Sequence, residues 1–151
     1  MLVIMEPWLA GKHADLDPIR RLLACSLEHC LADLRKWTPA APTDAQAFQL
    51  RHIAGSVDRL WTYALGGTIS SEQLEFLGAE SSGCAERKAL LELVAATFER
   101  VMCEMRMMED IDYRDPRHVG RQRVEVPLGL LLGHIAEHTQ RHTGQLITLA
   151  K

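Results

Sequence analysis

The residues of this sequence whose type and spacing most plainly carry chemistry are histidines. Three of its seven, His134, His138 and His142, stand four apart near the end of the chain. At about 100° per residue, His138 and His142 lie one turn apart on one helical face. Leu128, Leu131, Ile135, Leu146 and Leu149 form an apolar face on the same wheel, and the two histidines fall in the middle of it. Burying an imidazole costs free energy unless it finds partners. One divalent metal ion would serve both rings, because the neutral imidazole nitrogen is a common metal ligand.

The competing reading is a pair of core histidines bonded to carbonyls or carboxylates. H-x-x-x-H is a short pattern that arises by chance. It is also not the H-E-x-x-H pattern of zinc proteases, since position 139 is Thr139 and the general-base glutamate is missing. Two ligands make a weak site, so a third should come from another helix. His134 serves poorly: it lies about 60° to one side, and two turns, about 12 Å of rise, separate it from His142. His13 and His118 sit in irregular segments, His29 stands beside Cys30, and His52 falls early in a second helix. His52 is off its own apolar stripe by roughly 100° or more. It reads equally well as a solvent-facing histidine.

Four amphipathic segments must position these residues. The first helix starts at Asp17-Pro18, an N-cap followed by a proline tolerated in the first turn. Ile19, Leu22, Leu23, Leu27, Cys30, Leu31 and Leu34 form its stripe, and Pro39 and Pro42 follow its end. The second opens on a capping box, Thr43 with Gln46, and ends at Gly66-Gly67. Phe48, Ile53, Val57, Leu60, Trp61 and Ala64 form its apolar stripe. Residues 68–83 read as a connector with a short helical turn at 70–74. The third helix is expected from Ser82 or Gly83, with Leu90, Leu91, Val94, Phe98, Val101 and Met105 facing the core. Residues 107–126 break the periodicity, and 121–126 alternates as extended chain does. Arg121 and Arg123 there read as a solvated surface or as a ligand contact. The fourth helix runs from about Pro127 to Ala150. Without a convincing sheet, this pattern implies an all-α four-helix bundle in one domain over 1–151.

Composition excludes several functions. Hydrophobic residues make up 47% and charged residues 25%, the balance of a globular protein, and the net charge of -3 points to neither nucleic acid nor an acidic membrane as partner. No stretch approaches the roughly 18 apolar residues that would span a bilayer. The N-terminal run meets Glu6 and Pro7 at once and lacks a basic flank, so it does not read as a signal peptide. Cys25, Cys30, Cys84 and Cys103 form no C-x-x-C pair and read as buried free thiols. The expected location is the cytoplasm.

The run Leu132-Gly133-His134-Ile135-Ala136-Glu137-His138-Thr139-Gln140-Arg141-His142-Thr143-Gly144-Gln145 resembles the C-terminal signature of the DinB-like (DinB/YfiT) superfamily. Leu50-Arg51-His52-Ile53-Ala54 with Asp58-Arg59-Leu60 resembles its second-helix signature. Val119-Gly120-Arg121 and Pro7-Trp8-Leu9 are similar to one branch of it. The resemblance implies a four-helix bundle with a three-residue metal site. Its ligands would be His52, His138 and His142, and its ion nickel, zinc or iron. It also implies frequent homodimers. Some relatives are transferases or isomerases that use a low-molecular-weight thiol, and some of these carry Glu where this chain has His138. The expected function is therefore a metal-dependent enzyme of thiol S-transferase or hydrolase type, acting on a small molecule. The alternative is a non-catalytic metal-binding or dimerisation module. His134, Glu137 and Gln145 receive no catalytic role, and the catalytic residues stay unknown.

Overall fold

Caps read from the sequence open the first two helices where expected. The computed structural model describes residues 11–83 and 85–151. Helix α1 spans Pro18–Trp37, with Asp17 Oδ1 accepting from the backbone N–H of Ile19 and Arg20. Helix α2 spans Asp44–Ala64 behind the complete Thr43/Gln46 capping box. Helix α3 spans Ser71–Ala79, α4 Arg87–Arg106 and α5 Leu128–Leu149. Strands β1, Pro116–Val119, and β2, Val124–Pro127, pair antiparallel between α4 and α5.

The four long helices close a ring in which α1 packs on α5, α5 on α2, α2 on α4 and α4 on α1. Their stripes meet in one core. Leu23, Leu27 and Leu34 from α1 and Leu50, Ile53 and Trp61 from α2 are fully buried. Phe98 and Met105 from α4 join Leu128, Leu132, Ile135 and Leu146 from α5. The expected all-α body is present.

Several details differ from the sequence reading. The described residues hold five helices, because the turn expected at 70–74 extends to a nine-residue helix. Ser70 and Gln73 build a second capping box there, which is what lets so short a segment hold. Helix α4 starts at Arg87 rather than 82 or 83: Gly83 adopts φ +92, a left-handed conformation no α-helix can include. Residues 121–126 are not one extended run. Arg121 to Arg123 form the hairpin turn, with Gly120 at φ +74 and Arg123 at φ +49, and β1 supplies the unexpected partner strand. That strand contains His118, placed earlier in irregular chain. Ile19, Leu22 and Leu149 are exposed despite their place in the stripes. Cys25 and Cys30 are buried free thiols, whereas Cys103 is exposed. Pro7-Trp8-Leu9 and Cys84 lie outside the described residues.

Candidate metal centre

On α5 the buried face is rotated from the expected one. Thr139 and Thr143, not His138 and His142, occupy its centre and are fully or almost fully buried. Each satisfies its hydroxyl locally: Thr139 donates to Ile135 O at 2.7 Å and Thr143 to Thr139 O at 2.8 Å. Threonine thus does the work of an apolar residue here, which a hydrophobic wheel cannot register. His138 and His142 stand one position back, half-buried on the flank that faces α2.

His52 meets them from α2. The ring centroids of His52 and His142 lie 4.4 Å apart, those of His138 and His142 4.4 Å, and those of His52 and His138 5.3 Å. One nitrogen from each ring falls within 4.8 Å of the other two. Ligands at about 2.1 Å from a tetrahedral ion sit roughly 3.4 Å apart, so small ring rotations close the remaining gap. His52 lies off the apolar stripe for a physical reason: it lines this half-open site rather than the core. Phe48 stacks on its outer face at 5.4 Å and 13°.

The second nitrogen of each ring is already engaged. His52 Nδ1 lies 2.8 Å from Glu80 Oε2, and an ionised carboxylate only accepts, so Nδ1 donates. His142 Nδ1 lies 2.9 Å from Gln49 Oε1, and His138 Nδ1 lies 3.4 Å from Ser56 Oγ. The Ser56 hydroxyl donates in turn to Ile53 O. With Nδ1 the donor in each pair, Nε2 is the nitrogen left to face a shared ion; the His142 ring also meets the Gln145 side chain. Metal-bound histidines characteristically spend their other N–H in this way.

Electrostatics favour the neutral, ligating form of the two histidines on α5. Burial pushes the His138 imidazole down to about 4, helped by the neighbouring His142 and His52. Burial also lowers His142, with His52 the next cause. Burial opposes ionisation of Glu80, but hydrogen bonds from His52 and Arg59 outweigh it and hold the carboxyl below its usual range.

The other histidines give no nitrogen to this cluster, although the His134 ring lies 5.6 Å from that of His138. His134 is exposed and pairs with Glu137 at 3.4 Å. His29 is exposed beside Asp33, His13 lies 2.9 Å from Glu28, and His118 faces Glu125. Sequence reasoning missed the ring partners Gln49 and Ser56 on α2 and, outside the long helices, Glu80. Glu80 caps the end of α3 in a segment read as connector. The available signal was Gly55, an isolated glycine inside a helical pattern, which costs about 1 kcal/mol against alanine and so asks for a reason.

A family model described as the DinB superfamily matches residues 16–146. The chain belongs to the DinB superfamily. Comparison with curated proteins and with solved structures finds no match. Among the described residues, no helix of this DinB-superfamily chain is long and apolar enough to cross a membrane.

Proposed function

We propose that this DinB-superfamily protein binds one divalent ion, nickel, zinc or iron, through His52, His138 and His142, and uses it as a small-molecule enzyme. The observation that carries the reading is the convergence of three imidazoles, one nitrogen of each within 4.8 Å of the other two, and each with Nδ1 tied to an outer partner. The donor set suits these metals: three neutral nitrogens and no thiolate. Three protein ligands are typical of catalytic rather than closed structural sites. A bound ion there would supply Lewis acidity and a lowered pKa for a coordinated water or thiol.

The chain's own residues define the rest. Gln49, Ser56 and Glu80 orient the rings. An apolar cleft of about 370 Å³ is lined by Leu60, Val119, Val126, Leu131 and His134 among others. The His134 ring lies 5.6 Å from that of His138, which joins cleft and centre. This supports a small substrate with an apolar part, transferred to a low-molecular-weight thiol or hydrolysed. A homodimer in the cytoplasm is the proposed setting.

One observation favours the second reading, a non-catalytic metal-binding or dimerisation module. Glu80, the carboxylate bonded to the centre, is held by both His52 and Arg59 and is not free as a general base. The deciding experiment screens the metal-loaded protein against electrophiles with several biological thiols. Turnover that His142→Ala abolishes supports the enzyme. Tight metal binding with no turnover in any thiol, and no hydrolysis, supports the module.

A further inference from the structure

Glu80 presents an unusual combination. It is 2% exposed, yet it ends a helix that itself buries no residue. A buried carboxylate is costly unless paired and hydrogen-bonded. Here each oxygen has a separate partner: Arg59 Nη1 donates to Oε1 at 2.8 Å, and His52 Nδ1 donates to Oε2 at 2.8 Å. The pair with Arg59 alone would satisfy the charge without bringing the second oxygen to His52.

The approach depends on a missing side chain. A Cβ at Gly55 would collide with Glu80 Oε1, Arg59 Nη1 and the ring of Phe76. Gly55 lies in mid-α2, where glycine weakens a helix. What it gives in return is the space through which Glu80 reaches His52. Helix α3 is aligned for this by Gln73, whose amide donates to Asp58 Oδ2 at 2.7 Å and to Thr62 Oγ1 at 2.9 Å.

We propose that Glu80 is the positioning residue of His52: it holds the ring with Nδ1 protonated, so that Nε2 keeps its lone pair toward His138 and His142. Gly55 and Arg59 are the parts that make this hold possible. The purpose of the hold rests on the metal-binding reading; the hold itself does not, and it exists in the metal-free protein.

The test uses the whole chain, stripped of metal, and its Glu80→Gln, Glu80→Ala and Gly55→Ala variants. Nitrogen NMR of the imidazoles reports the His52 tautomer directly. Wild type should show His52 protonated at Nδ1. Glu80→Ala and Gly55→Ala should release it to a mixture, and Glu80→Gln, whose single amide oxygen goes to the donor-only Arg59 and leaves its NH2 facing Nδ1, should favour the Nε2–H tautomer. Nickel or zinc affinity, measured against a competing chelator, should fall about 10- to 100-fold in Glu80→Ala and at least as much in Glu80→Gln. Should Glu80→Ala fail to fold, the other two variants carry the comparison. A wild-type His52 protonated at Nε2, or a tautomer that none of the folded variants changes, overturns the proposal. A fixed Nδ1–H tautomer in a wild type that binds no metal supports the hold and refutes only the metal reading.

Discussion

Acidifying the metal-free protein should destabilise it through His138, and replacing that residue should remove the effect. In the folded protein the imidazole is pushed from 6.5 down to about 4 by burial and by its neighbours His142 and His52. A base with a lowered folded pKa takes up its proton in the unfolded chain first. Stability is therefore full above about pH 6.5 and falls as pH drops toward 4. Between pH 7.5 and 5 the full gap corresponds to about 2 kcal/mol. His138 is only half-buried, and solvent screening reduces the expected loss to about 1 kcal/mol. The window stops short of the range in which most carboxylates protonate. The assay is urea denaturation of wild type and His138→Gln at both pH values with a chelator present. Wild type should lose about 1 kcal/mol more than the variant over this interval. Equal losses would refute the reasoning, because the His138 environment would then not disfavour its charge.

His52→Ala and His142→Ala should each weaken metal binding by more than the roughly 10- to 100-fold typical of an outer partner, and His134→Ala by less; chelator competition measures all three. A His29→Ala variant that abolishes binding while His52→Ala retains it would contradict the ligand assignment. Metal should also raise the melting temperature at pH 7.5, since an ion that binds only the folded state at 100 times its Kd adds about 2.7 kcal/mol. At pH 5.5 and sub-saturating metal that rise should shrink, because ligation requires neutral imidazoles; an undiminished shift would count against a histidine site.

The legible parts of this fold were those encoded by local chemistry. Asp17-Pro18 and the Thr43/Gln46 box fixed two helix starts because capping is settled within four residues. The i, i+4 spacing of His138 and His142 was equally local. Their exact placement was not, because the wheel counts Thr139 and Thr143 as polar although each bonds its hydroxyl to the preceding turn and packs as core. His52 carried no periodic signal, and only its resemblance to a family signature selected it. Its partners both belong to α5, 86 and 90 residues further along the chain. Glu80 was invisible for the same reason: its contact with His52 spans 28 residues and depends on the space left at Gly55. Of the hairpin, the alternation of 121–126 caught part of β2, while the four residues of β1 are too few to separate from loop.

Elemental analysis of the protein, produced without a histidine tag and dialysed separately against nickel, zinc and iron(II), tests the central claim most directly. The convergence of His52, His138 and His142 predicts one tightly held ion per chain with at least one of these metals. The same measurement on a His138→Ala/His142→Ala double variant should show none. A wild-type chain that retains no ion from any of the three, or a double variant that retains as much as wild type, would contradict a tri-histidine metal centre.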